Sequence, residues 1–220
     1  MLRQFYQKHR SKFAYFNAIL LTNPVLERGL VLAPIVVASK SAVNALSLSV
    51  AFVIITFLTA LFSLIMPLRI PYTVRVIFNA LLASVIFIPT AMLVERLFPG
   101  SIYDLGIYLP MLVTNSLIVQ KLESRFHKMR FFYMLLQLIC NGIGFTLVAL
   151  IVGCVREFLG KGTLFGRVIE WAPPPIPAIL LPFFGFILLG FLAAAVKKYS
   201  RFLNSRPKPK KKGEQSGTHE

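Results

Sequence analysis

The segment LPMLVTNSLIVQ, at 109–120, places a proline and three consecutive hydrogen-bonding residues inside an apolar run. The side chains of Thr114, Asn115 and Ser116 can bond across helices, cap a short helix, or hold an ion or a cofactor. Bonding between helices is the common role of serine and threonine in membranes, whereas an asparagine there is more costly. This trio is therefore the first candidate for a site within the membrane.

A second polar segment, VREFLGKGTLFG at 155–166, contains the Gly160-Lys161 pair that suggests a phosphate-binding loop. The spacing of such a loop is not met, because Gly153 lies too far upstream and no serine or threonine follows the lysine. The segment instead predicts a helix that is closed by a glycine and followed by an external loop.

Arg156 and Glu157 are adjacent in this segment, so their side chains should leave the helix in different directions. We expect them at the membrane interface, with a contact to another subunit as the alternative. Cys140 and Cys154 fall in one apolar run, where a helix would separate them by about 21 Å. That separation is too large for a disulfide or a shared metal. The sequence has no catalytic triad, no metal-spaced histidines and no dinucleotide fingerprint, which argues against an independent enzyme.

Apolar runs dominate the elements that must position these residues. Of 220 residues, 56% are hydrophobic and 15% are charged, which predicts an all-α integral membrane protein. A helix needs about 20 apolar residues to cross roughly 30 Å of hydrocarbon. Four runs meet that length, while the first and fourth are short or interrupted; the six runs are 13–38, 42–66, 72–94, 105–119, 131–155 and 176–196.

The two imperfect runs occupy matching positions in the chain. Division near residue 99 gives two halves of three spans, which must be inverted relative to each other, and each half begins with a proline-containing span. Breaking a helix frees backbone groups that lipid cannot satisfy, so a break must be buried in protein or line a polar site. The pattern predicts two inverted three-helix repeats whose half-helices meet near the midplane. The candidate residues there are Pro34, Pro110, Thr114, Asn115 and Ser116.

The positive charges predict the orientation. With six crossings, 18 of the 24 lysines and arginines lie at the termini and in the loops on the same side, against five on the other side. The excess marks the cytoplasmic side, so both termini are expected there. The basic tail RPKPKKKGEQSGTHE is expected to be disordered and to fix the topology, with contact to anionic lipid as a compatible minor role. Nothing in the sequence resembles a nucleic-acid-binding module.

The chain resembles the Rnf/Nqr family of six-span membrane subunits, closest to the RnfE/RsxE and NqrD type. The similarity covers about residues 20–198, and its TN and GTLFG elements are fairly specific. It is carried by NPVLERGLVLAPIVVASKSAVNALSLS (23–49), LGIYLPMLVTNSLIVQKLES (105–124), VREFLGKGTLFG (155–166) and PAILLPFFGFILLGFLAAAVKK (177–198).

The resemblance implies a subunit that pairs with an inverted sister subunit, RnfA/NqrE-like, in a complex with the other Rnf/Nqr subunits. In the family the two sisters hold a two-iron, two-sulfur cluster through cysteines, because thiolates are soft ligands that suit iron. This chain departs from that pattern. Ala33 and Ser116 stand at the family's cysteine positions, and neither Cys140 nor Cys154 aligns with them. We therefore expect no cofactor and no metal bound through its own ligands.

The resulting prediction is a membrane subunit of an ion-translocating electron transport complex in the bacterial inner membrane, at most a non-catalytic part of the translocase. The alternative is a paralogue outside electron transfer, acting as a small transporter, a channel-like module or a scaffold. The expected divisions are a basic cytoplasmic segment (1–20), a first repeat (21–99), a second repeat (100–198) and a basic cytoplasmic tail (199–220).

Overall fold

The computed structural model describes residues 32–64, 70–113, 131–170 and 175–204, which are mostly helical. Three short 3-10 turns lie at Gly106–Tyr108, Pro110–Leu112 and Pro177–Leu180. Strands β1 (Thr163–Leu164) and β2 (Arg167–Val168) form an antiparallel hairpin. The helices are α1 (Leu32–Ala38), α2 (Ala42–Ser63), α3 (Tyr72–Leu97), α4 (Ser101–Leu105), α5 (Phe131–Lys161) and α6 (Pro182–Asn204).

Four of these helices, α2, α3, α5 and α6, are long and apolar enough to cross a membrane. This confirms an integral membrane protein and four of the six predicted spans. The other two predicted spans are short where they are described. Helix α1 has seven residues, about 10 Å of rise, and residues 106–113 form 3-10 turns instead of a long helix. The remaining parts of both runs lie outside the described residues.

Several helix ends differ from the ends of the apolar runs, among them the end of α5 and the start of α6. Helix α5 continues to Lys161 and is closed by Gly162 at φ +67°, whose N–H donates to the Phe158 carbonyl at 3.0 Å. The glycine-closed end is thus confirmed, and a β-hairpin follows it. Helix α6 begins at Pro182 and not at 176, because a proline holds the preceding Leu181 in an extended conformation and favours the first helical position.

Helix α2 occupies the centre of the described fold and packs against α3 on one side and α5 on the other. The rings of Phe52 and Phe145 stack with centroids 3.9 Å apart. Two glycines of α5 allow this close approach. A Cβ at Gly142 would lie 2.9 Å from the Val53 side chain, and one at Gly153 would lie 2.8 Å from the Ala45 Cβ. Small residues of this kind are typical of helix contacts in membranes, where packing drives association.

The four long helices differ in how much of their surface the chain itself covers. More than half of the apolar window is buried in α2 and α5, against 22% in α3 and 11% in α6. The exposed side chains of α3 and α6 are large and apolar, such as Leu81, Met92 and Phe191. These two helices therefore present the outer apolar surface of the described fold.

Candidate functional site at the break between two helices

Three residues, Ser39, Lys40 and Ser41, separate α1 from α2. Within this break, Ser39 has no exposed surface, whereas Lys40 is exposed. Ser41 caps α2, and its Oγ accepts a hydrogen bond from the Asn44 N–H at 3.2 Å. Other backbone groups at the end of α1 and the start of α2, among them the Val36 carbonyl and the Ala42 N–H, lack an intrahelical partner, so burial requires that other groups satisfy them.

Arg156, near the end of α5, satisfies the carbonyls on the α1 side of the break. The side chain has no exposed surface. Its Nη1 donates to the carbonyl of Val36 and, at 3.1 Å, to that of Ser39. The rest of the guanidinium bonds to the segment before α6: Nε donates to Ile179 O at 3.3 Å, and Nη2 donates to Leu180 O at 2.6 Å and Leu181 O at 3.4 Å. Five carbonyls thus match the five N–H groups of one arginine.

Glu157 satisfies the α2 side of the same break. Its Oε2 accepts a hydrogen bond from the N–H of Ala42, the first residue of α2, at 2.7 Å. Its Oε1 accepts from the Thr163 hydroxyl at 3.1 Å and from the Gly166 N–H at 2.8 Å. The side chain is 2% exposed. One carboxylate therefore ties the β-hairpin to the start of α2.

The signs of the two charges match the helix ends that they meet. A helix carries partial negative charge at its C-terminus and partial positive charge at its N-terminus. The guanidinium of Arg156 lies at the C-terminal end of α1, and the carboxylate of Glu157 lies at the N-terminal end of α2. The side chains diverge as expected, but the sequence does not reveal their partners. Among those partners are the Val36 carbonyl and the Ala42 N–H, which are backbone groups more than 100 residues away along the chain.

The structure places only part of the predicted midplane site. Ala33 is half-buried and Pro34 is buried in the first turn of α1, while Pro110 is exposed at the start of a 3-10 turn. Helix α1 contacts the turn Gly106–Tyr108, and α2 contacts the turn Pro110–Leu112. The starts of the two halves are therefore neighbours as far as they are described. Thr114, Asn115 and Ser116 lie outside the described residues.

The described residues do not fit the ligand set of an iron–sulfur cluster. Ala33 offers only a methyl group, and Cys140 and Cys154 both belong to α5 and not to α1. In the parts of the chain that are described, no group of three or more His, Cys, Asp or Glu residues could hold a metal ion.

Comparison with known proteins relates the whole of this architecture to one family. The model of a family described as "Rnf-Nqr subunit, membrane protein" matches residues 12–193. One relative is a subunit of the Na(+)-translocating NADH-quinone reductase of Pseudoalteromonas translucida (strain TAC 125). It is 25% identical over 197 residues, which cover 86% of this chain and 93% of the relative.

Two further relatives are subunits of ion-translocating oxidoreductase complexes. The one from Shewanella sp. (strain ANA-3) is 27% identical over 198 residues, which cover 84% of this chain and 85% of the relative. The one from Shewanella sp. (strain W3-18-1) is 28% identical over 186 residues, which cover 78% and 80%. The family match spans every described helix up to residue 193, including the break that Arg156 and Glu157 hold. The chain belongs to the Rnf-Nqr family of membrane subunits.

Proposed function

We propose that this chain is a membrane subunit of an ion-translocating electron transport complex of the Rnf/Nqr type. The observation that carries the proposal is the similarity, over most of both chains, to relatives named as subunits of such complexes. A similarity of that extent includes both α1 and the long helices that surround it. The chain would then act as a component of a translocase and not as an enzyme by itself.

Within this role, the chain would form two inverted three-helix repeats, at 21–99 and 100–198, in the bacterial inner membrane with both termini cytoplasmic. The contact between α1 and the turn Gly106–Tyr108 supports this arrangement, because it brings the beginnings of the two halves together. The low burial of α3 and α6 supports an assembly with further subunits, among them an RnfA/NqrE-like sister.

We further propose that the chain contributes no iron ligand to its complex. The methyl group of Ala33 has no lone pair, and a neutral serine hydroxyl at Ser116 is a poor substitute for a thiolate ligand. The remaining role for Pro34, Pro110, Thr114, Asn115 and Ser116 is structural support or ion passage at the midplane. A broken helix in that place suits either role, since its free backbone groups can line a polar path.

The test is the iron content and electron paramagnetic resonance spectrum of the chain purified with its sister subunit. We expect no stoichiometric two-iron signal from the wild type, and no change on Cys140→Ser with Cys154→Ser. The double variant Ala33→Cys with Ser116→Cys restores two thiolates and should gain iron. A wild-type two-iron signal that survives loss of Cys140 and Cys154 but requires the sister's cysteines would overturn the proposal.

The absence of a donor at Ala33 also supports a second candidate, a transporter, channel-like module or scaffold outside electron transfer. Purification in mild detergent separates the two. Stoichiometric recovery of other Rnf/Nqr subunits supports the first function, whereas recovery of the chain without them, from cells that express the whole complex, supports the second.

A further inference from the structure

The carbonyl groups around Arg156 form a site with the character of a cation-binding site. They come from two segments, the end of α1 and residues 179–181, and converge on one buried point. Carbonyls at the end of a helix carry partial negative charge and have no partner within that helix. Burial removes them from water, so a cation or a hydrogen-bond donor is required.

Broken membrane helices commonly use such carbonyls to coordinate a transported cation. Here the position is filled by a side chain that keeps its charge at all physiological pH values. All five N–H groups of Arg156 are used, and none of its surface is exposed. We propose that Arg156 is a tethered cation that permanently fills the ion site at the α1–α2 break.

The α1–α2 break is therefore a fixed structural contact and does not bind an ion that passes through the protein. Glu157 reinforces this contact, because both oxygens of its carboxylate already accept hydrogen bonds from α2 and the hairpin. Helix α6 also packs closely against this contact at Gly185. A Cβ at Gly185 would lie 3.0 Å from Val36 and 3.4 Å from the Arg156 Nη1. Resting on the function proposed above, any ion that the complex moves would not be coordinated by these five carbonyls.

The test is chemical rescue of Arg156→Ala in the full-length chain, purified in detergent. The matched control is Arg167→Ala, which removes an exposed arginine from β2. Thermal unfolding is followed while guanidinium chloride is added at millimolar concentrations, at constant ionic strength. We expect Arg156→Ala to lower the Tm by on the order of 10 °C. Guanidinium should then raise that Tm saturably, as a ligand of the vacated site does, with no rise in the wild type or in Arg167→Ala.

Two results would overturn the proposal. One is an Arg156→Ala chain as stable as the wild type; the other is a destabilised chain whose Tm guanidinium fails to raise. If Arg156→Ala cannot be purified, the proposal is tested by comparing the Tm of Arg156→Lys with that of Arg156→Gln. A lysine keeps the charge with fewer donors, so it should be the more stable of the two, and equal stability would contradict a tethered cation. The readout is the stability of the isolated chain, so it is independent of the proposed role in electron transport.

Discussion

At the scale of single residues, a buried carboxylate is the strongest acceptor that the break could recruit. Glu157 accepts hydrogen bonds from one hydroxyl and two backbone N–H groups, belonging to Thr163, Ala42 and Gly166. Bonds to a charged acceptor are stronger than bonds to a neutral one, and each N–H left without a partner inside a protein is costly. The negative charge is therefore what holds the hairpin to α2.

Glu157→Gln tests this role of the charge. The amide keeps one oxygen but turns an N–H₂ group towards a donor, so we expect the free energy of unfolding to fall by about 2 kcal/mol. Unfolding of the purified chain in detergent measures the change. Glu170→Gln, at an exposed position just after the hairpin, is the matched control and should stay within about 0.5 kcal/mol of the wild type. Equal stability of the two variants would contradict the role of the charge.

Phe165 has a backbone conformation that is energetically unfavourable for its residue type. It adopts φ +52° and is followed by Gly166 at φ +75°, which makes a tight hairpin turn with two left-handed residues. Asparagine tolerates this conformation better than phenylalanine. The Phe165 side chain is 46% exposed, so its replacement removes little buried area.

Phe165→Asn should therefore raise the free energy of unfolding by about 1 kcal/mol. The same detergent unfolding experiment measures it. Val168→Asn, at an 80% exposed position in extended β2, should give no comparable gain. A loss of stability in Phe165→Asn would mean that the aromatic ring contributes more than its exposure indicates.

At the scale of elements, the approach of α5 to α2 depends on Gly153. A Cβ at this position would lie 2.8 Å from the Ala45 Cβ and 2.9 Å from the Ser41 carbonyl oxygen. Neither atom belongs to a flexible side chain end, so the helices must separate at the point where Ser41 caps α2.

Gly153→Ala should lower the free energy of unfolding by about 1 to 3 kcal/mol, the usual cost of overpacking. Gly190→Ala is the control, because a Cβ there meets nothing within 4 Å and alanine favours the helix. We expect Gly190→Ala to be neutral or slightly stabilising in the same measurement. A Gly153→Ala chain as stable as Gly190→Ala would show that the close approach is not required.

The long helices are the part of the fold that the sequence predicts best. The spans α2, α3, α5 and α6 followed from runs of about 20 apolar residues, since length and composition alone decide whether a helix can cross a bilayer. The apolar run predicts too early a start for α6, because it continues through Pro177 and Pro182 without a change in hydropathy.

The site was less predictable than the spans. The weakness of α1 was visible as a short run with Pro34. The groups that hold its end were not, because Arg156 and Glu157 bond to backbone atoms, and any residue type supplies those. A pair of opposite charges in the last turns of an apolar helix was the one available signal.

At the scale of the whole molecule, the break and the end of α5 must lie at the same side of the membrane, because Arg156 and Glu157 bond directly to residues 36–42. Lys40 and Lys161 are both exposed there. The distribution of lysine and arginine predicts that this side is the outer one.

Single cysteines at these two positions, Lys40→Cys and Lys161→Cys, test that topology in a chain without Cys140 and Cys154. Both should react with a membrane-impermeant maleimide in intact spheroplasts. Ser205→Cys, in the predicted cytoplasmic tail, should react only after permeabilisation. Labelling of Lys40→Cys and Lys161→Cys from opposite sides would contradict the fold, and labelling of both only after permeabilisation would reverse the orientation.

The contact between the α1–α2 break and α5 also has a consequence for biogenesis. The carbonyl of Val36 and the N–H of Ala42 are synthesised well over 100 residues before Arg156 and Glu157, a delay on the order of ten seconds at ordinary translation rates. During that interval the α1–α2 break of the nascent chain lacks its hydrogen bonds to Arg156 and Glu157. A ribosome-bound chain truncated before α5 should therefore expose Lys40 and its neighbours to proteases, and completion of α5 should abolish that sensitivity.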